Sequence, residues 1–365
     1  MPRPEAIKTE HSVEWHWEKF AEFCRFKAEV REPSPHLQML GVLTEGLPYY
    51  EKAWFICLYA NFYNIPSAMV MYKEWPFSRV CQQADWNELG KWLLINWEGL
   101  ATRTERRAVR TVKNMFECLV SLAYWIQDKL PLYTGTTAEV QAKRHWPDLN
   151  AAYDAIWVEA ENDLRFMGRY IIIRLLEAMH RFMDLEPHLY DIRSIGGWSP
   201  KLAIGLLYPE YLPLLLSPDT KENVHQVDLI AYHAIATFEA DYSTPMSPYV
   251  FAAMLCEYRV AYEKRHQYPG WTIDQEPAYW LKIDGFWQEK RGYQWAKEIE
   301  EKFLAARLAL FPVENLGEIQ GWPSGTRVEP RSTLRDHGYN WSDKRYDYEL
   351  MKFQNDFANP VRRQA

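Results

Sequence analysis

Cysteine is sparse and dispersed. The chain has five, Cys24, Cys57, Cys81, Cys118 and Cys256, and no two form a C-x-x-C pair. An odd, scattered set argues against a disulfide framework and a cysteine-based zinc site, and fits a reduced compartment. Long apolar runs are also missing. None reaches the ~18 residues of a membrane helix, and the first residues contain no apolar signal core. The chain is therefore expected to be soluble and cytoplasmic. Alternating Val/Ile/Thr runs joined by hairpin turns are nearly absent, which argues against sheets. There is no phosphate-cradling glycine loop, H-E-x-x-H, G-x-S-x-G or dinucleotide fingerprint. His180 and His188 stand eight residues apart across a proline break, a poor spacing for a metal, so no metal site is assigned. Basic excess is lacking too: 42 Lys and Arg against 49 Asp and Glu leave a formal charge of −7. That disfavours broad coating of nucleic acid but allows a local basic face.

Aromatic side chains are abundant, with 17 Trp, 23 Tyr and 16 Phe in 365 residues. Most are expected to fill a core; exposed ones can stack on bases. Apolar residues recur at helical spacing almost throughout, as in Trp86, Leu89, Leu93 and Trp97, so the fold class is all-α. The pattern predicts helices near 11–30, 49–62, 67–74, 85–97, 115–130, 202–207, 223–238, 248–267 and 292–310. One continuous helical pattern spans 150–184, in which Glu161, Arg165 and Arg169, and likewise Glu177 and Arg181, are spaced by four and support a helix. Gly168 within it suggests a close helix contact. Prolines at 33 and 35 set off an N-terminal helical segment, 1–36, from a helical domain, 37–310, whose lobes meet near 190–200. Residues 311–365 lack a helical period and form an irregular C-terminal arm. Its Arg327, Arg331 and Arg335, interleaved with Trp322 and Trp341, suit either a solvated structural arm or contact with single-stranded nucleic acid.

Three stretches carry candidate chemistry. Ile195-Gly196-Gly197-Trp198-Ser199-Pro200-Lys201-Leu202-Ala203 reads as a tight glycine turn entering a helix, with Ser199 as its cap and Pro200 in its first turn. Such a helix start attracts phosphate. Arg103, Arg106, Arg107 and Arg110 fall at i, i+3, i+4 and i+7, and on a helix they share one face. Four guanidiniums at that spacing suit a phosphate or pyrophosphate; the alternative is a solvated face tempered by Glu98 and Glu105. His225, Asp228 and Tyr232 share a face of the helix that follows the hairpin.

Gly197-Trp198-Ser199-Pro200-Lys201-Leu202-Ala203 resembles the hairpin of the helix-hairpin-helix DNA glycosylases, G-V-G-x-K-T-A, with Ser199 in place of the second glycine and Leu202 in place of the threonine. The resemblance implies that Gly196, Gly197, Trp198, Ser199 and Lys201 contact DNA. It also implies that an aspartate after the hairpin is the active carboxylate: Asp228, preceded by Val227, or the nearer Asp219. Phe62-Tyr63-Asn64-Ile65-Pro66-Ser67-Ala68 and Trp97-Glu98-Gly99-Leu100, followed by Arg103 to Arg110, resemble the phage amino acid:DNA transferases, allied to the α-glutamyl/putrescinyl-thymine pyrophosphorylases. That family is distantly related to the glycosylases, and the likeness covers roughly residues 50–240. It implies a two-lobed glycosylase-like fold acting on viral DNA in the cytoplasm of an infected bacterium.

The implied reaction is displacement of pyrophosphate from activated 5-hydroxymethyluracil by an amino acid or amine. The arginines would hold pyrophosphate, with Mg²⁺ as a possible aid. Asp228 or His225 would take the proton, and Arg169 or Lys201 would bind an amino-acid carboxylate. The rival expectations are a glycosylase that releases a base and a non-catalytic DNA-binding protein.

Overall fold

The computed structural model describes residues 7, 9, 11–29, 35–82, 85–102, 108–135, 147–185, 198–217, 220–243, 246–262 and 284–310. Their secondary structure is helical; the described residues contain no strand, only an isolated bridge between Thr134 and Leu185. Contacts divide the chain into two compact units: residues 1–35, 189–271 and 342–365, and residues 36–188 and 272–341.

In chain order the larger helices are α1 (Val13–Glu29), α2 (Pro35–Thr44), α3 (Tyr49–Phe62), α4 (Ile65–Glu74), α5 (Phe77–Val80), α6 (Trp86–Asn96), α7 (Val112–Asp128), α8 (Leu149–Asp163) and α9 (Arg169–Phe182). They continue with α10 (Trp198–Leu207), α11 (Leu212–Leu215), α12 (Lys221–Tyr242), α13 (Pro248–Tyr262), α14 (Asp284–Arg291) and α15 (Tyr293–Leu310). The C-terminal arm and residues 136–146 lie outside the described residues.

The first unit is built by α1 and α10–α13. Phe20 of α1 sits edge-on to Phe238, Phe251 and Tyr258 at 5.7, 5.6 and 5.4 Å. Phe20, Ala203, Leu207, Ala231, Ala234 and Leu255 belong to one buried cluster. The N-terminal helix is thus part of this core. Each fully buried Leu or Phe contributes about 1.5–3 kcal/mol relative to exposure, so α1 adds several such terms.

The second unit is organised around α3. Residues Ala53 to Phe62 are all buried, and α3 packs against α4, α7 and α9. Its run Ala-Trp-Phe-Ile-Cys-Leu-Tyr-Ala is apolar on every side, as a central helix requires. On the flank of α4, Trp287 of α14 donates its indole N–H to Gly99 O at 2.6 Å. Helix α14 is an element that the sequence pattern does not separate from its surroundings.

The expected single helix over 150–184 is two helices. Residues Leu164 to Gly168 interrupt it, with Phe166 at φ 59° and Gly168 as the N-cap of α9. No atom approaches within 4 Å of where a Gly168 side chain would begin, so this glycine serves the helix start and not a close contact. A second correction concerns Ser199. Helix α10 begins at Trp198, which puts Ser199 inside the first turn and not at the cap.

Candidate functional site

The second unit brings a cationic and aromatic cluster together from distant parts of the chain. Helix α3 ends in a left-handed residue, Tyr63, at φ 52° and ψ 34°, whose N–H still donates to Tyr59 O. The chain turns at once into α4. Asn64 caps that helix, its side-chain oxygen accepting from Ser67 N at 3.0 Å, and Pro66 occupies the first turn. This compact turn aims the Tyr63 ring at α9, where its hydroxyl meets that of Tyr170 at 2.7 Å. On α2, the His36 ring stacks on Tyr59 and Tyr63 with centroids 5.9 and 6.2 Å away.

One turn beyond Tyr170 lies Arg174, whose side chain is 17% exposed. Its guanidinium donates to Glu177 Oε2 at 2.8 Å, and its carbon lies 5.4 Å from the Tyr170 centroid. Burial opposes the charge of Arg174. The neighbouring Tyr170, Glu177 and Tyr63 outweigh that burial and hold the guanidinium protonated well above the usual arginine range. Its Nε is buried and has no hydrogen-bond acceptor. The cluster therefore combines the Arg174–Glu177 ion pair, the phenols of Tyr59, Tyr63 and Tyr170, and the His36 imidazole. Its rings suit stacking on a flat ligand.

Sequence reasoning missed this cluster. Glu177 was expected to support the helix by its i, i+4 spacing with Arg181; it is buried and ion-paired with Arg174. The available signal was a charged pair three residues apart, Arg174 and Glu177, inside an otherwise apolar run, Ile171 to Met179.

The arginine stretch has both flanks in the same unit. On one side, Ala101 N donates to Ser67 Oγ at 2.9 Å, which ties the chain to the first turn of α4, three residues from Asn64. On the other, Asn114 Nδ2 donates to Ala108 O at 2.7 Å. Arg103, Arg106 and Arg107 lie outside the described residues. Arg110 is exposed and non-helical. It precedes Thr111, an extended residue at φ −115° and ψ 147° whose hydroxyl caps α7. The single helical face expected through Arg110 is thus corrected: a new helix starts at 112, and Arg110 falls in the break before it.

The hairpin candidates belong to the first unit. Gly196, Gly197 and Asp219 lie outside the described residues, as does the Trp198 side chain. Ser199 is half-buried and Lys201 is 3% exposed. An ammonium so covered does not offer the open phosphate contact that the resemblance implies. Thr220 caps α12, its hydroxyl accepting from Asn223 N at 3.2 Å. On that helix His225 is exposed and Asp228 half-buried, opposite the buried Val227, Ala231 and Ala234. Tyr232 on the same side is 53% exposed. Arg169, in the second unit, is exposed and lies 3.8 Å from Glu161.

Among the described residues no group of three or more His, Cys, Asp or Glu side chains is placed to hold an ion such as Mg²⁺. None of their helices is long and apolar enough to cross a membrane. No family model, curated protein or solved structure matches the chain.

Proposed function

We propose that the chain transfers an amino acid or amine onto pyrophosphate-activated 5-hydroxymethyluracil in DNA. The observation that carries this reading is the hydrogen bond from Ala101 N to Ser67 Oγ. It ties the start of an arginine-rich stretch to the helix that begins beside Tyr63 and the Arg174 cluster. A base extruded from a duplex needs rings to stack on, and a departing pyrophosphate needs fixed cations.

In the reaction, the bond between the thymine-type methylene carbon and the pyrophosphate oxygen breaks, and its electron pair leaves with pyrophosphate. A neutral amine forms the new carbon–nitrogen bond and gives up one proton. Guanidiniums stabilise the leaving charge without changing protonation. That proton passes to solvent; Asp228 and His225, expected from the sequence to accept it, belong to the first unit, and this reading does not depend on them.

The test mixes the protein with DNA carrying pyrophosphorylated hydroxymethyluracil and a pool of amino acids and amines, followed by nucleoside mass spectrometry. A new thymine adduct with release of pyrophosphate is the expected result. Loss of the base would move the chain to the glycosylases, and binding without turnover would make it a DNA-binding protein.

A further inference from the structure

The break between α8 and α9 adjoins a cavity of about 850 Å³ in the second unit. Ser121 of α7 holds that break in place. Its hydroxyl donates to Cys118 O at 2.8 Å and accepts the Arg165 backbone N–H at 3.0 Å. Phe116, Tyr124 and Trp125 supply aromatic wall. Tyr124 is 41% exposed and stands edge-on to Trp86 at 4.9 Å, which supports one side of its ring. Trp125 is 1% exposed, and its indole N–H has no acceptor.

The charge of the lining is uneven. Glu117, Asp128 and Asp163 line the cavity against two cations, Lys129 and Arg165. Both cations are engaged: Arg165 lies 3.8 Å from Glu117, and Lys129 lies 3.8 Å from Glu159 and 3.9 Å from Asp163. Asp128 has no cation within ion-pairing distance among the described residues, although Lys129 is its neighbour in sequence. An accessible carboxylate beside aromatic faces, in a cavity of ligand size, is a receptor for a positive charge on an apolar body.

We propose that this cavity is a binding site for an organic ammonium ion. Asp128 meets the ammonium, and Tyr124 with Phe116 meets the apolar body. The proposal rests on the cavity alone and goes beyond the DNA reaction: it concerns the free chain without nucleic acid.

The experiment is isothermal titration of the full-length protein with tyramine and with 3-(4-hydroxyphenyl)propanoate, which has a similar shape and the opposite charge. Tyramine is expected to bind saturably at one site, at least about fivefold more tightly than the anion, the equivalent of ~1 kcal/mol for one ion pair. Asp128→Asn should erase that preference, and Tyr124→Leu should weaken both ligands. Asp128 is exposed and has no ion pair among the described residues, so its variant is expected to keep the parent thermal melting temperature, measured alongside. Equal or tighter binding of the anion, no saturable tyramine binding, or an unchanged tyramine affinity in both variants would overturn the proposal.

Discussion

The hydroxyls of Tyr63 and Tyr170 meet at 2.7 Å although the residues are 107 positions apart in sequence. One ends α3 in a left-handed turn; the other opens α9 one turn before the half-buried Arg174. This contact joins α3 to α9 beside the start of α4, whose Ser67 accepts the Ala101 N–H.

Arg174 and Glu177 should be strongly coupled. Arg174→Ala leaves the Glu177 carboxylate, 6% exposed, without its cation, and is expected to cost about 3 kcal/mol or more in urea unfolding. Replacing both residues with Met should recover much of that loss. A double variant as unstable as the single one would show that the pair does not account for the cost.

Arg106→Ala with Arg107→Ala should remove transfer of the amino acid or amine while leaving most DNA affinity, because two lost guanidiniums act chiefly on the leaving charge. Transfer is read by nucleoside mass spectrometry and affinity by titration at fixed salt. Undiminished transfer would remove the arginines from the reaction.

His16 makes the stability of the first unit depend on pH. Burial, with a smaller push from His11, lowers its pKa to about 4. Its ring nitrogens lie 2.9 Å from the Tyr258 hydroxyl and 2.8 Å from Thr9 Oγ1. An unfolded histidine titrates near ~6.5, so the unfolded chain takes up the proton first. The stabilisation is complete above that pH and is lost as pH falls towards the folded pKa. Urea midpoints should therefore drop between about pH 7 and pH 4.5, and His16→Gln should flatten that part of the profile. Parallel profiles would assign the drop to other groups.

Two glycines should respond to substitution to different degrees. A Cβ on Gly99 would lie 2.6 Å from the Phe286 ring and 2.7 Å from Trp287, which is fully buried. Gly99→Ala is expected to cost about 1–3 kcal/mol through overpacking. Gly168 has φ −77° and open space around it, so Gly168→Ala should lose only the modest preference for glycine at a cap. Thermal denaturation of the two variants checks both expectations.

Much of the helical framework was legible in the chain. The limits expected for α3 are those observed, because Pro48 precedes it and Tyr63 and Asn64 turn the backbone at its end. Helices rest on bonds between residues four apart, so composition and spacing within a short window predict them well. The interruption at 164–168 was concealed because Leu164, Met167 and Ile171 keep a helical period across it.

The candidate site was less legible. Arg174, Glu177 and His36 look unremarkable in their own windows; their grouping depends on which helices arrive from far along the chain. Likewise, the apolar face of α1 was evident, but its partners were not: the sequence set it apart, and packing placed Phe20 among residues from 203 to 258. Local spacing alone determined that this protein is all-α and where most of its helices run. Tertiary structure decided which charges are buried and which ring meets which hydroxyl, because desolvation and side-chain pairing depend on neighbours that a single helix does not contain.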